Sequence, residues 1–366
     1  MHVLPRSQPR MWCCFRPLLA AALWPTLAGG SSADQPVRPA VQAVGVEPEQ
    51  LTTATQRGIR WLVAEQQNDG SWGSGGFRGS AAVTAHGVLA LVGSGSTPTA
   101  GPHATTVRRA VEFLQRHCDA DGLIAGNEAA AHGPMYGHAY ATLALAEVWG
   151  ERVGDDLQDC LTRATALIAG TQNAAGGWRY QPVAGEADIS VTASMLVALR
   201  GLGCAGVAVE AATADRAIDY IITLQNDDGG FRYRMEPGPS GSPRTAAALF
   251  ALQLAGVQGQ VIDRGFAWLE AHPISLGKQD GYALYGLAAE AAARWQQRLA
   301  TGDVARWQKW FSPVAAALLE HQQENGSWPD PSCPEYGTAA GLAILQTPAG
   351  LVPIVAAEGR REGLQP

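Results

Sequence analysis

The feature that most constrains the fold of this chain is an internal repeat of about 50 residues. The segment RGIRWLVAEQQNDGSW, from Arg57 to Trp72, returns five more times without a gap. The copies begin at Arg57, Arg109, Arg163, Arg216, Arg264 and Pro313. Six copies in a continuous register indicate one repeat architecture rather than the two separate domains that 366 residues would otherwise suggest.

Three positions define the register of the repeat. A glycine keeps its place in every copy: Gly70, Gly122, Gly176, Gly229, Gly277 and Gly326. The residue four places before it is Gln66, Cys118, Gln172, Gln225, Pro273 or Gln322. The residue two places after it is aromatic in four copies: Trp72, Trp178, Phe231 and Trp328. Because glycine adopts the left-handed conformation that ends a helix, each copy is predicted to begin with a helix stopped by a tight turn.

Each copy contains material for two helices of different character. The first has apolar residues at three- and four-residue spacing, as at Ile59, Leu62 and Val63, which is typical of a helix with one buried face. The second consists mainly of Ala, Gly, Leu and Val, and a helix that is apolar on all sides belongs in the interior. Six such pairs predict an all-α fold, an (α/α)6 toroid spanning residues 50–346. An open α-solenoid is the alternative, but it would leave the apolar inner helix of a terminal copy uncovered.

The N-terminal segment has the features of an export signal. Arg6, Arg10 and Arg16 precede an apolar stretch from Pro17 to Ala28, and small residues follow. We therefore expect residues 1–33 to be a signal peptide; a disordered apolar N-terminus is the alternative.

The remaining boundaries follow from this interpretation. Cleavage is expected after Gly30 or Ala33, followed by a linker at 34–49, the toroid, and a C-terminal tail at 347–366. The protein is accordingly predicted to be exported, to the periplasm or beyond. After removal of the signal, no segment is apolar enough to predict a transmembrane span.

The charge of the chain limits the classes of partner that it is expected to bind, and the spacing of its cysteines indicates whether they form disulfides. The net charge is −7 and the chain has no run of Lys or Arg, so a nucleic-acid partner is not expected, since such binding depends on clustered basic side chains. Beyond the signal, Cys118, Cys160, Cys204 and Cys333 are scattered and without CxxC spacing. They are predicted to be packed thiols, with a disulfide as the alternative in an oxidising compartment.

The pattern Arg-Gly-x-x-Trp-Leu-x-x-x-Gln-x-x-x-Gly-x-Trp in residues 57–72 resembles the QW repeat of squalene and oxidosqualene cyclases. This repeat family, the prenyltransferase/squalene oxidase repeat, includes the toroidal β-subunits of protein prenyltransferases. The resemblance covers all six copies and implies a single stand-alone toroid like those of squalene-hopene cyclase and terpene cyclase domains. It also implies a structural role for Gln66 and Trp72 and for their equivalents, which join neighbouring helices on the outside of those rings.

Two departures from the cyclases bear on chemistry. Their acid motif is Asp-x-Asp-Asp-Thr-Ala, in which the middle Asp protonates the alkene, whereas the nearest match here, Asp188 to Ala193, has Ser190 at that position. A serine hydroxyl is too weak an acid for that step. The aromatic residues of the inner segments are spread over the copies: Tyr136, Tyr140, Phe250, Tyr282, Tyr285 and Tyr336. This spread argues against a cavity lined by the aromatic faces that stabilise carbocations, so squalene-type cyclisation is not expected.

A metal or organic cofactor is not predicted either. Protein prenyltransferases take zinc from an Asp, a Cys two residues later and a downstream His, whereas Asp330 and Cys333 are three residues apart and no histidine follows them. When the inner segments are aligned by their Ala-Leu ends, Asp188 falls about four residues before the level of His138 and His86 about two after it. This offset corresponds to roughly 9 Å along a helix axis, too far for a shared metal.

The N-termini of the six inner helices are expected to gather at one end of the ring, where their unpaired N–H groups attract polar groups. The polar residues of the inner segments, and two tyrosines on the loops that lead there, are therefore the predicted ligand-binding residues. They are His86, Tyr136, His138, Tyr180, Asp188, Tyr233, Arg244, Tyr282, Glu335 and Tyr336. For the carboxylates the structural alternative is a helix N-cap, and for the histidines a hydrogen-bonded core position.

These observations favour a binding protein whose cavity holds an isoprenoid-like or other apolar lipid chain, with its polar end at the mouth near Asp188, His138 and Arg244. An enzyme is one alternative, either a divergent terpene cyclase with Asp188 or His138 as its acid, or a sugar lyase with Tyr and His as base and acid. A structural or protein-interaction ring is the other.

Overall fold

The computed structural model describes residues 45–127, 133–150, 156–277 and 282–350, and within these ranges the chain forms twelve α-helices and no β-strand. The helices are α1 Pro48–Ala64, α2 Ala81–Gly93, α3 Ala104–Arg116, α4 Met135–Glu147, α5 Asp156–Gly170, α6 Ile189–Cys204, α7 Ala211–Thr223, α8 Ser242–Leu254, α9 Gln260–Ala271, α10 Ala283–Thr301, α11 Val304–His321 and α12 Pro334–Gln346. The predicted signal peptide and the tail beyond Gly350 lie outside the described residues.

The even-numbered helices form a closed inner ring. Each of them contacts the next even-numbered helix, and α12 contacts α2, which completes the circle. The odd-numbered helices pack around this ring, and α1 contacts both α11 and α12. The predicted all-α toroid is therefore confirmed, and the ring is closed rather than an open solenoid.

Composition explains which helices lie inside. In α4 and α6 most residues are buried, and they are largely Ala, Gly, Leu and Val, whose small size lets helices approach closely on all sides. The outer helix α3 instead buries one stripe, at Val107, Ala110, Val111 and Leu114, and exposes polar residues on its other faces. Burial of that stripe against α2 and α4 holds the outer helix on the ring.

In the four copies that have it, the repeated glutamine joins a helix pair to the following one. Gln66 Nε2 donates to the carbonyl oxygen of Gly70 in its own turn at 3.0 Å and to that of Thr106 in the next pair at 2.8 Å. Gln172 and Gln225 make the same two kinds of bond with the turns that follow them and with the next outer helices. One side chain thus satisfies two backbone acceptors and fixes the register of neighbouring repeats.

The repeated tryptophans are structural as well. The indole N–H of Trp72 donates to the carbonyl oxygen of Leu62 at 2.7 Å, and Trp178 and Trp328 bond in the same way to the outer helices of their own pairs. All three side chains are at most 1% exposed. They pack between the outer and inner helix of a pair, as the resemblance implied.

The first and last helix pairs are joined by the same contacts as consecutive pairs. Gln322 Nε2 donates to the carbonyl oxygen of Ala54 at 2.8 Å, and Arg57 Nη2 donates to those of Gln323 and Glu324 at 2.7 and 2.8 Å. Arg109 bonds in the same register to the turn that precedes it in the ring. Ring closure therefore uses the chemistry of the repeat itself.

The junction between the fifth and sixth pairs is irregular. Helix α11 begins at Val304, so Pro313, which opens the sixth copy in the sequence, lies inside the helix. Proline has no N–H and cannot make the contacts of the repeated arginine. Gly277 accordingly faces the His321 side chain, with no carbonyl oxygen of the next pair close to it.

We expect Gln322→Ala to lower the melting temperature by about 5 °C, because it removes two hydrogen bonds that together contribute about 2 kcal/mol at the closure of the ring. Gln323→Ala is the matched control, since that side chain is exposed and makes one long bond of 3.4 Å. Thermal unfolding followed by circular dichroism measures both variants. Equal melting temperatures for the two would show that the closure bond contributes nothing.

Candidate functional site

A central cavity runs along the axis of the inner ring and takes lining side chains from all six inner helices. Its empty volume, counted together with its opening to solvent, is about 1030 Å³. The aromatic side chains of the lining are His86, Tyr140, Phe250, Tyr285 and Tyr336. Alanines make up much of the remainder, with Leu89, Leu143 and Val197 at one level. The wall is therefore apolar for most of its length.

Equivalent residues of the inner helices line the cavity at the same depth along the ring axis. A repeated hydrogen bond from a backbone N–H to a threonine hydroxyl fixes the position of these helices along that axis. The N–H of Trp72 donates to Thr84 Oγ1, and equivalent bonds join Trp178 to Thr192, Phe231 to Thr245 and Trp328 to Thr338. Two residues beyond these threonines, four inner helices place a residue in the cavity: His86, Ser194, Ala247 and Ala340. Three residues further lie Leu89, Val197, Phe250 and Ala343, about one helical turn deeper.

The structure overturns the sequence-based argument that the aromatic residues are dispersed. Tyr140 and Tyr336 are far apart in sequence, yet the rings of both lie beside His86. Burial raises the pKa of Tyr285, and the nearby Tyr140 and Tyr336 raise it further. The imidazole of His86 lies 4.2 Å from the ring of Tyr140 and 5.0 Å from that of Tyr336, centroid to centroid. The cavity therefore does present several aromatic faces to its contents.

The lining carries no formal charge at neutral pH. Burial lowers the pKa of His86 to about 4, so its imidazole is neutral. Burial likewise raises the pKa of the hydroxyls of Tyr140, Tyr285 and Tyr336. None of the described lining residues is Asp, Glu, Lys or Arg. A bound molecule would meet aromatic faces and neutral hydroxyl groups rather than ions.

The other end of the cavity holds the polar side chain of Gln346. This last residue of α12 is 6% exposed and lines the cavity beside Thr347. Within the described part of the chain, neither its Nε2 nor its Oε1 has a hydrogen-bond partner, whereas the Thr347 hydroxyl donates to the Ala343 carbonyl oxygen at 2.8 Å. A buried carboxamide left unpaired is costly, which makes it a ready contact for a polar group on a ligand.

Four of the predicted ligand-binding residues form a cluster at the N-terminal end of the inner helices. The hydroxyls of Tyr180 and Tyr233 are 2.5 Å apart, and the rings of Tyr136 and Tyr180 have centroids 6.2 Å apart. Burial is the main cause that raises the pKa of Tyr136 and Tyr233, and the nearby Asp188 raises it further. The structure brings these four residues together as predicted, but none of them lines the cavity.

Asp188 is the N-cap of α6. Its Oδ1 accepts hydrogen bonds from the N–H groups of Ser190 and Val191 at 2.9 and 3.0 Å, and its side chain is fully buried. The other oxygen lies 3.8 Å from Arg179 Nε. Burial raises the pKa of this carboxyl despite the capping N–H groups and the nearby cation. The structural alternative given for Asp188 therefore accounts for the contacts of Oδ1, whereas the buried Oδ2 is not used by the helix cap.

His138 also has a structural role. Its Nδ1 accepts the N–H of Ile124 at 3.1 Å, so the imidazole takes the place that threonine holds in the other helix pairs. Burial lowers its pKa to about 4. His138 is fully buried and does not reach the cavity, so the sequence prediction of a ligand contact gains no support from its position.

The remaining predicted residues do not converge with this cluster. Arg244 donates to the carbonyl oxygens of Phe231 and Pro239 at 3.0 and 2.7 Å, which occupies the group expected to hold an anion. Glu335 accepts a bond from the Ser74 hydroxyl at 2.9 Å. Tyr282 is 60% exposed. Of the ten predicted residues, His86 and Tyr336 lie in the cavity wall.

The sequence did not identify Tyr140, Phe250, Tyr285 and Gln346 as residues that line the cavity. A usable signal existed for Tyr140, which follows Tyr136 by four residues and so lies one turn further along the same helix face. Gln346 had no such signal, because it lies at the end of an apolar segment where a surface position is equally expected.

Asp188→Asn is expected to raise the melting temperature slightly at pH 7. The amide keeps the capping oxygen, and the raised folded-state pKa means that the ionised carboxylate is the less stable form. A raised pKa gives stability that is complete below the usual Asp pKa and is lost as pH rises, so the variant's advantage should vanish at about pH 3.

Melting curves of wild type and variant between pH 3 and pH 8 test this expectation. A variant less stable than wild type at pH 7 would mean that the ionised carboxylate contributes net stability through Arg179.

The described residues also bear on metal binding and membrane insertion. Among the residues described, no three His, Cys, Asp or Glu side chains are grouped so that they could hold a metal ion. In the same ranges, no helix is both long enough and apolar enough to span a bilayer.

No protein-family model matches this chain, and no curated protein sequence matches it. Solved structures do. A variant of the type II terpene cyclase MstE from Scytonema, in complex with geranylgeranyl dihydroxybenzoate, is 17% identical, with a TM-score of 0.56 over 84% of this chain and 98% of that chain. A variant of the α-1,6-mannanase GH76A of Salegentibacter sp. HEL1_6, in complex with α-1,6-mannotriose, is 10% identical, with a TM-score of 0.60 over 82% and 99%.

Cellobiose 2-epimerase from Bacillus thermoamylovorans B4167 is similar to the same degree, with a TM-score of 0.59 and 10% identity over 80% of this chain and 98% of that chain. At these identities the likeness establishes the fold alone. The three neighbours carry different names, and the cyclase and the mannanase hold different ligands, so the toroid does not by itself select between an isoprenoid and a sugar.

Proposed function

We propose that this protein is an exported ring that binds an apolar, isoprenoid-like chain in its central cavity without performing an acid-initiated cyclisation. The observation that carries the proposal is the cavity wall, which is uncharged and built from aromatic, alanine and leucine side chains. Its polar groups are few, and Gln346 at one end has no partner among the residues that the structure describes. The expectation of export rests on the signal-like N-terminal sequence.

The chemistry of the cavity wall suits an apolar molecule. The lining is mainly alanine, leucine, valine and aromatic side chains, and it opens to solvent at one end. Each methylene transferred from water to such a wall contributes about 0.8 kcal/mol. A chain with many methyl and methylene groups therefore gains far more than a polar molecule of similar length.

A sugar ligand is the poorer fit. Sugars need many hydrogen bonds, and glycoside hydrolysis uses a pair of carboxyl groups that flank the bond to be broken. The described lining offers no carboxylate, and its polar atoms belong mainly to tyrosine hydroxyls, Ser194, Gln346 and Thr347. A glycoside hydrolase therefore has little support from the cavity, although a mannanase has the same fold. The lyase alternative finds a His and a Tyr side by side in the wall, at His86 and Tyr140, but few further polar groups there to hold a sugar.

A terpene cyclase is the second candidate function, and the aromatic lining favours it. The faces of Tyr140, Phe250 and Tyr285 would stabilise a carbocation inside the ring. Such a reaction also needs a proton donor beside the alkene. Asp188 is held as a helix cap outside the lining, and Ser190 stands where the cyclase motif has its acid. For these reasons binding without cyclisation is preferred.

Native mass spectrometry of the full chain, produced by an exporting host, tests the proposal. We expect a 1:1 complex with geranylgeraniol, a twenty-carbon isoprenoid alcohol, which organic solvent extracts unchanged. Recovery of a cyclised product would favour the cyclase instead. A protein that binds neither geranylgeraniol nor any co-purified lipid would contradict the proposal and favour the structural ring.

A further inference from the structure

The contact between the second and third helix pairs differs from the other regular junctions. At those junctions a glutamine donates to a carbonyl oxygen of the next outer helix, as Gln172 does to Thr213 and Gln322 to Ala54. The second pair has Cys118 at the glutamine position. The residue that it meets on α5, at the place where the other junctions have the accepting carbonyl, is Cys160.

The two thiols lie against each other. Cys118 Sγ is 3.9 Å from the Cys160 carbonyl oxygen, and the Cys160 side chain is also a hydrogen-bond partner of the Cys118 thiol. Both cysteines are free thiols in the structure. Cys160 is 2% exposed, whereas Cys118 is only partly buried and can be reached from solvent. At the junction between the second and third repeats, a pair of cysteines therefore takes the place of the glutamine contact.

The surroundings make Cys118 the more reactive of the two. Arg163, the repeated arginine of the third pair, donates from Nη2 to Cys118 Sγ at 3.7 Å. The Cys160 thiol and this guanidinium lower the pKa of Cys118 to about 7, while Asp119 acts in the opposite direction. The contact with Cys118 and burial raise the pKa of Cys160. With a pKa of about 7, roughly half of Cys118 is thiolate at neutral pH, next to a protonated, shielded partner.

We propose that Cys118 and Cys160 form a redox-sensitive pair that hydrogen peroxide converts into a disulfide between the second and third repeats. The Cys118 thiolate attacks one peroxide oxygen, the O–O bond breaks, and the departing hydroxide takes up a proton to become water. This step leaves a sulfenic acid on Cys118. The Cys160 sulfur then loses its proton and attacks the Cys118 sulfur, the S–O bond breaks, and a second water leaves. The two thiols lose two electrons and the peroxide gains them.

The position of the pair gives this oxidation a structural consequence. The disulfide would replace a non-covalent inter-repeat contact by a bond, and the linked residues are 42 positions apart in the chain. A cross-link that closes such a loop restricts the unfolded chain and stabilises the folded ring. Helices α4 and α6, which carry Tyr140 and Ser194 of the cavity wall, belong to the two repeats that it would join.

The test uses the full chain, first reduced and then treated with a small excess of hydrogen peroxide. Remaining thiols are alkylated, and a non-reduced digest is analysed by mass spectrometry. We expect the peptides that contain Cys118 and Cys160 to be linked, with Cys204 and Cys333 recovered in alkylated form. The oxidised protein should melt about 5 °C higher than the reduced one. Recovery of Cys160 in alkylated form, with Cys118 over-oxidised or intact, would overturn the proposal.

Three variants separate the pair from general effects of oxidation. Cys118→Gln restores the residue of the other junctions, so its melting temperature should not change with peroxide. Cys160→Ala should lose the linked peptides and the thermal shift, whereas Cys204→Ser should keep both. A peroxide-dependent shift that persists in Cys118→Gln would also refute the proposal. Because these measurements need no ligand, their outcome is independent of the proposed function.

Discussion

Gly176→Ala is expected to lower the melting temperature of the ring by about 10 °C. Gly176 has φ +97°, where residues other than glycine are strained, and a Cβ at this position would overlap the carbonyl oxygen of Arg216 on the next outer helix. Positive φ alone costs roughly 1–3 kcal/mol for a residue with a side chain, and the overlap adds to this because a helix backbone must move. Thermal or urea unfolding measures the loss.

Gly256→Ala separates the two contributions. Gly256 also has positive φ, at +80°, but a Cβ there meets nothing within 4 Å. This control should therefore lose only the conformational part, about 3 °C. If both variants lost the same amount, the close approach of neighbouring repeats would carry no energetic weight, and the strict glycine of the sequence would reflect turn geometry alone.

The fold could be predicted from the sequence because the repeat encodes local and long-range structure in the same residues. Gln172, Gly176 and Trp178 end one helix, and their hydrogen bonds and close contacts also place neighbouring helices. The alignment of the inner helices by their Ala-Leu ends is confirmed as well, since Thr84, His138 and Thr192 make equivalent bonds to the preceding turn. Contacts that recur from repeat to repeat require the same residues at a regular spacing, so the sequence pattern predicts them.

The candidate site was predictable only in part, because its residues follow no such period. Whether a side chain enters the cavity depends on a difference of a few positions, as two tyrosines demonstrate. Tyr282, which precedes α10, is 60% exposed, whereas Tyr285, three residues later, lines the cavity. Polarity pointed instead to residues such as Asp188 and Arg244. Backbone groups bond Oδ1 of Asp188 and the guanidinium of Arg244, which sequence alone does not reveal.

Ala289→Trp is expected to weaken the binding of geranylgeraniol by at least about 100-fold while leaving the ring folded. Ala289 lines the cavity on α10, where an indole would point into empty space rather than into packed neighbours. Filling that space removes most of the apolar surface that an isoprenoid chain could bury, and about 2.7 kcal/mol of lost burial already accounts for a hundredfold change. Titration followed by native mass spectrometry gives the ratio of dissociation constants.

Ala212→Trp is the matched control for this experiment, because it makes the same substitution at an exposed position of α7. It should bind geranylgeraniol as wild type does. Should Ala289→Trp unfold, Ala343→Phe narrows the cavity from α12 at the deeper level and must weaken binding too. Undiminished affinity in a folded cavity variant would place the ligand elsewhere on the ring and remove the main argument for the proposed function, since the apolar wall would then be packing rather than a binding surface.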